Sequence, residues 1–361
     1  MADSIQEVLQ AFAKGELVVV TDDDDRENEG DLICAASLCT PEKMAFIIRN
    51  TCGIVCAPIT AEQAKRLHLD PMVALNDAPL GTAFTVSVDV RHGLTTGISA
   101  EERTNTVRAL ANDNSGAADF VRPGHVFPLV AREGGVLMRS GHTEACIDLC
   151  RLAGLPPVGV LSELMNDDGT VMRGPDVAAF AEKHKLKRIS IADLIAYRQA
   201  REKLVDRISE FTVATEIGPL QGYAYMTHFD QVHHMALVYG RIDGRNVPTR
   251  LHRANLIRDM FGGTNTVAKV LHHFKREGQG VIVFLRDGSV GVPVSAIPKG
   301  VDKNGDSDAE RQRQWREIGL GAQILKDLGI SSIRLLTAAK HRYVGLAGFG
   351  IEIVSTEPIA E

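Results

Sequence analysis

The feature that most constrains this chain is a dense acidic block between two apolar runs, VVVTDDDDRENEGDLICA, from Val18 to Ala35. Seven carboxylates and one arginine fall among the ten residues Asp22–Asp31. Such like charges repel one another unless a cation joins them, and hard Mg²⁺ or Mn²⁺ prefers carboxylate oxygen. A solvated acidic loop is the alternative, because charge runs are usually surface segments. The interposed Arg26, Asn28 and Gly30 favour a loop that holds a metal and an anionic, hydroxylated ligand.

Length and composition describe a globular protein. A chain of 361 residues is long enough for two domains with separate cores. Apolar residues make up 44%, charged residues 24%, and the net charge is −6, which argues against a general binder of nucleic acid or membrane surfaces. No signal peptide is recognisable, and no run reaches the roughly 18 apolar residues of a membrane span. We expect neither a nucleic-acid partner nor a membrane partner.

The six cysteines all lie in the first 150 residues, at Cys34, Cys39, Cys52, Cys56, Cys146 and Cys150. None forms a CxxC pair. Spacings of four and five residues suit buried thiols on strands and helices better than a zinc site. We therefore expect reduced cysteines in a cytoplasmic enzyme.

Alternating strand and helix patterns predict a mixed α/β fold (α+β) in two domains. The charged helical segment Ile189–Arg207 separates them, with the boundary near residues 200 to 207. The strands predicted for the first domain are Leu17–Val20 and Ala83–Val88, and the predicted helices are Pro41–Asn50, Ala100–Ala111 and Thr143–Ala153. Its polar clusters are predicted to lie in loops. Those predicted for the second are the strands Tyr223–His228, His234–Tyr239, Gly280–Leu285 and Ser332–Leu336, and the helix Gly319–Leu328. The polar stretch Lys299–Gln314 is predicted to be a mobile loop.

A second polar cluster, RPGHVFPLVAREGGVLMRSGHT, runs from Arg122 to Thr143. Its histidines, His125 and His142, each follow a glycine, and the two can be a proton shuttle and a metal ligand. A structural role for each histidine is the alternative. The segment Arg139–Thr143 opens a predicted helix, so its backbone N–H groups and the Arg139 guanidinium can bind a phosphate.

Two further carboxylates are candidates. Glu163 lies in the apolar run Val158–Met165, where partial desolvation would raise its pKa and suit it to proton transfer. Ser99 is predicted to cap the next helix, with Glu102 as its capping-box partner, and capping alone can explain both residues.

These segments together resemble the 3,4-dihydroxy-2-butanone 4-phosphate synthases of riboflavin biosynthesis. DRENEGD, GISAxxR, the PGHVFPL block, RSGHTEA and the later glutamate occur in the family's order. The resemblance implies a three-layer α/β domain over residues 1–203 that converts D-ribulose 5-phosphate to 3,4-dihydroxy-2-butanone 4-phosphate and formate. It also implies two Mg²⁺ (or Mn²⁺) ions per active site, no organic cofactor, and a homodimer with active sites near the subunit interface.

By the same resemblance, Glu27 and His142 are the metal ligands, and His125 and Glu163 are essential for catalysis. The implied substrate contacts are Arg26, Glu27, Asp31, Arg139, Ser140, Gly141, His142 and Thr143. In one departure, Glu102 stands where the family usually has Asp. The charge is kept, but any short-range contact from this position is put in question.

Residues 208–361 resemble the GTP cyclohydrolase II family, with the best match at Ile318–Thr337, IGLGAQILKDLGISSIRLLT. That family uses three zinc cysteines, whereas this chain reads HRANLIRDMFGGTNTVAK from His252 to Lys269 and has no cysteine after Cys150. Zinc is what activates the attacking water in such enzymes. We predict a second α/β domain that keeps the fold, binds no zinc and has no GTP cyclohydrolase II activity.

Two other departures from the family pattern also predict that GTP cyclohydrolase II activity is absent. The family's Asp-x-Arg pair is represented here by Gln314 and Arg316, and the asparagines that usually follow RLLT are Ala338 and Ala339.

Two alternatives remain open for this domain. It could open GTP with another metal site, since His233, His234, His252, His272 and His273 are available. Adjacent histidines diverge on a strand or a helix, which counts against this. It could also be a regulatory module that binds a nucleotide or a partner without turnover.

Overall fold

The computed structural model describes residues 3–22, 27–228, 232–255, 259, 265–286, 319–337, 346 and 350–359. The chain divides into two compact units, Met1–Tyr197 and Arg198–Glu361, so the division falls just before the predicted range. Each unit contains one sheet with helices, which confirms the prediction of two mixed α/β domains. No helix within these described ranges is long and apolar enough to cross a bilayer.

The first unit is built on a seven-stranded mixed sheet with the order β4-β5-β3-β6-β2-β1-β7. Its strands are β1 (Val18–Thr21), β2 (Gly30–Ala35), β3 (Cys56–Ile59), β4 (Val88–Val90), β5 (Phe120–Val130), β6 (Gly159–Glu163) and β7 (Lys187–Ser190). Its helices are α1 (Ile5–Ala13), α2 (Pro41–Asn50), α3 (Ala61–Arg66), α4 (Ala100–Leu110), α5 (His142–Leu152), α6 (Gly174–Lys183) and α7 (Ile191–Arg201). The division between the units falls within α7, so its residues from Arg198 onward belong to the second unit.

Local signals place the helix starts. The Thr40 hydroxyl accepts the Lys43 N–H and Pro41 occupies the first turn of α2, so this helix has the predicted bounds. Ser99 and Glu102 form the predicted capping box at α4. The helix predicted at Thr143–Ala153 begins one residue earlier, at His142.

Helices cover both faces of this sheet. On one face, side chains of alternate strand residues join those of α2, α3, α4 and α6 in one apolar cluster that includes Val19, Leu32, Met44 and Val107. Helix α5 packs against the strands from the other face, where the intervening residue Ile33 is also buried. The sheet therefore lies between two helical layers.

Two predictions about strands are wrong. Residues 83–87, predicted as strand, contribute only the isolated bridges Phe84↔Leu129 and Pro71↔Thr85, and the ladder begins at Val88. The polar cluster placed in loops begins on strand β5, which pairs with both β3 and β4. This strand contains a glycine, two prolines and charged residues, which have low strand propensity, so local propensity does not predict it.

The second unit contains a seven-stranded sheet in the order β14-β13-β11-β12-β10-β9-β8. Its strands are β8 (Val205–Thr215), β9 (Gly218–Thr227), β10 (His233–Tyr239), β11 (Val247–Arg253), β12 (Gly280–Leu285), β13 (Ser332–Thr337) and β14 (Glu352–Pro358). Its helices are α8 (Thr266–Glu277) and α9, residues 319–327. The predicted strands and helix are present, whereas β11, α8 and β14 were not predicted. The loop predicted at Lys299–Gln314 lies outside the described residues.

Gly159, the first residue of β6, allows α5 to pack closely against the sheet. A Cβ at this position would lie 2.0 Å from the buried Cys146 Sγ. We expect Gly159→Ala to lower the free energy of unfolding by about 1–3 kcal/mol, the usual range for an overpacked core. Urea unfolding measures this loss.

Gly116→Ala is the matched control, because a Cβ there would have no neighbour closer than 4.0 Å. In a Cys146→Ala background, the Gly159→Ala change should destabilise much less. Equal losses in the two glycine variants would show that crowding against Cys146 is not the cause.

Candidate active site

Five carboxylates lie close together at one end of the central strands of the first sheet. Register places Asp31 of β2 opposite Glu163, the last residue of β6. Asp22, Glu27 and Glu29 lie on the connection between β1 and β2. We call these five residues the acidic cluster.

Asp22 shapes the connection that carries the cluster. Its buried carboxylate accepts hydrogen bonds from the backbone N–H groups of Glu27, at 3.0 Å, and Glu29, at 2.9 Å. The sequence analysis did not single out this residue, because nothing distinguishes it from the other aspartates of the run. Arg26, a predicted substrate contact, lies outside the described residues.

Burial and mutual repulsion raise carboxyl pKa values within the acidic cluster. Burial, followed by repulsion from Glu163 and Glu27, raises the pKa of Asp31 well above its usual value. Burial and Glu163 likewise raise the pKa of Glu29, although Arg173 lies 3.3 Å from its carboxylate. Oδ1 of Asp31 is buried without a hydrogen-bond partner. A cation placed among these oxygens would relieve both the repulsion and the unsatisfied oxygen.

The structure brings His142 to the acidic cluster. This residue opens α5 and is buried, and its Nδ1 lies 3.8 Å from Asp31 Oδ1. Its Nε2 is 3.1 Å from the Val20 carbonyl oxygen. Because a carbonyl only accepts, Nε2 carries the proton of this hydrogen bond and the neutral ring has its lone pair on Nδ1. Over the described ranges, no three His, Cys, Asp or Glu side chains converge into a metal cage.

Glu163 has a more exposed side chain than its apolar surroundings predicted. It ends β6 and is accessible to solvent, whereas Ser162 before it and Leu164 after it are buried. Partial burial of the carboxyl group and the nearby Glu27 still raise its pKa. The predicted direction of the shift is confirmed, and the carboxyl group is open to a ligand.

Arg139 folds back on the start of α5. Its Nη1 donates to Glu144 Oε2 at 2.7 Å, and its Nη2 donates to Thr82 Oγ1 at 3.2 Å. Glu144 Oε1 also accepts the Arg132 N–H. A Cβ at Gly141 would lie 2.3 Å from Arg139 Nη1, which explains the glycine between them. Sequence analysis missed Glu144 as the partner of Arg139, although it belongs to the RSGHTEA motif.

The first turn of α5 is suited to an anion. Gly141 is its N-cap and supplies no side-chain hydrogen bond to the helix N–H groups. Ser140, His142 and Thr143 are all buried at this terminus, beside the Arg139 guanidinium. The predicted phosphate contacts are therefore adjacent to one another, next to the acidic cluster.

His125 is held by a residue that the sequence analysis missed. Its Nδ1 lies 2.7 Å from Oδ2 of Asp89, a buried carboxylate on β4. Asp89 stands in the alternating run VSVDV, where an acidic residue between apolar ones could have been recognised as a buried functional group.

Strand register places His125 and Glu163 at the same end and on the same face of the sheet. Cys56 pairs with both Phe127 and Leu161, which defines one row across β5, β3 and β6. His125 and Glu163 each lie two residues beyond this row in the same direction. Two strand spacings, roughly 10 Å, separate the two backbones.

Glu102 organises the segment before α4. Its Oε2 accepts from the Ser99 hydroxyl at 2.9 Å, and its Oε1 accepts from the Thr95 N–H at 2.6 Å and the Thr95 hydroxyl at 2.7 Å. Capping therefore explains only part of its role. The side chain also ties residue 95 to the helix start.

Comparison with known proteins gives two family matches. A model of the 3,4-dihydroxy-2-butanone 4-phosphate synthase family matches residues 6–197, and a model of GTP cyclohydrolase II matches residues 206–358. The bifunctional riboflavin biosynthesis protein RIBA 1, chloroplastic, of Arabidopsis thaliana is 45% identical over 373 residues. That match covers 99% of this chain and 69% of the relative.

Two solved structures are similar. RibBX from A. baumannii, described as a two domain 3,4-dihydroxy-2-butanone 4-phosphate synthase, shares 37% identity at a TM-score of 0.82, over 98% of this chain and 100% of that one. A 3,4-dihydroxy-2-butanone 4-phosphate synthase in complex with two magnesium ions shares 48% identity at a TM-score of 0.54. It covers 55% of this chain and 98% of that one.

Glu102→Gln should destabilise the protein at neutral pH. Hydrogen bonds, mainly from Thr95 and then from Gly97 and Ser99, lower the pKa of Glu102 from 4.5 to about 2. A lowered carboxyl pKa stabilises the fold above the unfolded-state pKa, and this contribution is lost as the pH falls toward the folded-state pKa. The stability difference between wild type and variant should be constant at neutral pH and shrink below about pH 4.5.

Urea unfolding over a pH series measures this difference. Glu101→Gln, at the neighbouring exposed position, is the control and should change stability little at any pH. A difference for Glu102→Gln that stays the same down to the lowest pH at which the protein folds would contradict the assignment.

Proposed function

Because the chain belongs to the 3,4-dihydroxy-2-butanone 4-phosphate synthase family, we propose that its first unit converts D-ribulose 5-phosphate to 3,4-dihydroxy-2-butanone 4-phosphate and formate. The observation that carries the proposal is the acidic cluster, with the unsatisfied Asp31 Oδ1 beside His142. A substrate rich in hydroxyl groups and a divalent cation are the ligands that such a site accommodates.

Glu27 and His142 are proposed to hold the metal. Carboxylate oxygen with one imidazole nitrogen is a donor set for Mg²⁺ or Mn²⁺, and it contains no thiolate. The relative with two magnesium ions supports two cations per site. The hydrogen bond from His142 Nε2 to Val20 orients the ring with Nδ1 toward Asp31, as metal-binding histidines usually require of their surroundings. A bound cation supplies Lewis-acid stabilisation of the negative charge that develops on the substrate.

The substrate phosphate is proposed to bind at the start of α5. Arg139, the Thr143 hydroxyl and the N–H groups of the first turn supply positive charge and donors. Glu144 and Thr82 hold the Arg139 guanidinium before any ligand arrives, which lowers the ordering cost of binding. Arg26 and Asp31 remain proposed substrate contacts from the family resemblance.

Proton transfer is proposed for Glu163 and His125. The raised pKa of Glu163 brings it closer to neutral pH, where a carboxyl group can both hold and release a proton. His125 lies at the same end and on the same face of the sheet, so the two groups can serve different carbons of one extended substrate. Holding the phosphate at α5 fixes those carbons relative to both groups.

A homodimer is proposed from the surface of the first unit. Large apolar side chains are exposed there at Ile54, Met72, Val73, Leu75, Leu80 and Ile98. Leu80 contributes its carbonyl to Arg139, so part of this surface adjoins the phosphate site. Exposed apolar side chains in such numbers are typical of an interface.

The six cysteines are free thiols, which supports the proposal of a reducing, cytoplasmic setting.

For the second unit, we propose a cyclohydrolase fold without GTP turnover. The three zinc thiolates of the family have no counterpart in the sequence. Four of the described histidines have separate partners rather than a common centre: His234 with the Arg286 N–H, His252 with Asp259, His272 with Glu216 and His273 with Glu357. Gln314, Arg316, Ala338 and Ala339 lie outside the described residues.

The comparisons favour the alternative that this unit also opens GTP, since the Arabidopsis relative is named bifunctional. The residues of this chain favour loss of GTP cyclohydrolase II activity, because a water molecule without a metal is a poor nucleophile at neutral pH. A regulatory role is the third possibility. A cleft of about 500 Å³ is lined by three cations, Arg201, Lys203 and Lys326, and by two carboxylates, Glu202 and Asp327, so it offers only a small excess of positive charge for a nucleotide.

Formate release from D-ribulose 5-phosphate with Mg²⁺ tests the proposed function. EDTA should stop the reaction and Mg²⁺ restore it. Glu27→Gln and His142→Ala should each lower turnover more than roughly 100-fold, because each removes a ligand where the protein supplies few. Glu62→Gln, an exposed carboxylate on α3, is the control and should keep turnover. Near-normal turnover of either ligand variant at ordinary Mg²⁺ would refute the metal assignment.

Zinc analysis and a GTP assay on the full chain test the second unit. We expect no stoichiometric zinc and no formate from GTP, with or without added Zn²⁺, because the thiolates are missing. Calorimetry with GTP then separates a nucleotide-binding module, which gives heat without turnover, from a purely structural unit. Release of a pyrimidine product from GTP would establish the bifunctional alternative instead.

A further inference from the structure

We propose that Asp89 positions His125 for proton transfer by fixing a proton on Nδ1 and leaving Nε2 as the basic atom. The proposal rests on the proposed function, which gives His125 its role. Asp89 lies outside every motif identified in the sequence, so the inference adds a positioning residue to the site.

The local backbone is built around this carboxylate. Val88 of β4 pairs with Val126 of β5, whereas the next residue, Asp89, pairs with Val121. Residues 122–125 therefore bulge out of the ladder, with no partner in β4. Gly124 permits the close approach, because a Cβ there would lie 2.0 Å from the Val88 carbonyl carbon.

Side chains replace the missing ladder partners of the bulge. The Gly124 N–H donates to Ser87 Oγ at 3.2 Å, and the His125 N–H donates to Asp89 Oδ1 at 2.9 Å. The second oxygen, Oδ2, is 2.7 Å from His125 Nδ1. One carboxylate thus holds both the backbone and the ring of the same histidine.

The hydrogen bond to the ring is protected from solvent. The Asp89 side chain is 4% exposed, whereas that of His125 is 40% exposed. Gly97, at φ +85°, packs its backbone over the pair, and a Cβ there would lie 2.2 Å from Asp89 Oδ2. The buried Arg103 guanidinium interacts electrostatically with Asp89. A carboxylate only accepts, so the ring proton is on Nδ1 and the lone pair on Nε2.

Replacement by asparagine should invert this arrangement. The His125 backbone N–H can only donate, so the amide oxygen of the new side chain must face it. The amide NH₂ then faces Nδ1, which must become the acceptor. Neutral His125 would carry its proton on Nε2 and could no longer act there as a base, with the fold and the substrate contacts unchanged.

The test combines nitrogen NMR with kinetics on the full-length protein labelled with ¹⁵N-histidine. His125→Gln assigns the signals. We expect wild-type His125 to show a protonated Nδ1 and an unprotonated Nε2, and Asp89→Asn to show the reverse. With D-ribulose 5-phosphate and Mg²⁺, Asp89→Asn should lower kcat by roughly 10²–10⁴-fold, the range for an acid–base group, with little change in KM.

Ser87→Ala is the matched control, because it removes the other hydrogen bond of the bulge without contacting the ring. It should keep the wild-type tautomer and lose much less turnover. A wild-type ring protonated on Nε2 would overturn the proposal, as would equal losses in the two variants without a change of tautomer. The wild-type tautomer decides the matter even if Asp89→Asn fails to fold. Absence of formate release by wild type would instead refute the proposed function.

Discussion

The repulsion among carboxylates around Asp31 is the constraint on which the rest of the site depends. Like charges opposite one another on neighbouring strands destabilise a sheet, yet β2 and β6 place Asp31 opposite Glu163. Asp22 draws Glu27 and Glu29 toward the same edge through their backbone N–H groups. Among the described residues, the exposed Arg173 pairs with Glu29 at 3.3 Å. A divalent cation among these oxygens would relieve the repulsion, which is why the proposed metal site is placed here.

The candidate site also depends on close packing between α5 and the sheet of the first unit. Gly159 lets α5 approach β6, and the start of α5 then places His142 at the acidic cluster and its first turn at the proposed phosphate position. Gly141 leaves room for the Arg139–Glu144 pair. A methyl group at Gly141 would displace the Arg139 guanidinium, and one at Gly159 would displace the buried Cys146 side chain of α5. The sheet thus holds the acidic cluster, the proposed anion site and the proposed proton-transfer groups at fixed separations, as the proposed rearrangement of one small substrate requires.

Much of the site could be predicted from sequence because its determinants are local. The acidic run, the Ser99–Glu102 capping box and the Gly-His-Thr helix start all carry their meaning within a few residues. The partners Asp89 and Glu144, and the bulge that presents His125, depend on contacts formed only after folding. The strand Ala83–Val88 was wrongly predicted for the same reason, since local propensity could not show that pairing begins at Val88. For the second unit, the sequence shows that the zinc thiolates are missing, but it cannot show whether another set of residues supports GTP turnover.

The most direct test of this account is a crystal structure of the full chain grown with Mn²⁺, with anomalous scattering used to locate the metal. The account predicts anomalous density within coordinating distance of a Glu27 carboxylate oxygen and His142 Nδ1, beside Asp31. Mn²⁺ suits this test because it shares the oxygen preference of Mg²⁺ and scatters anomalously. Density elsewhere in the first unit, or none at this edge in crystals of active enzyme, would contradict the claim that the acidic cluster is a metal site.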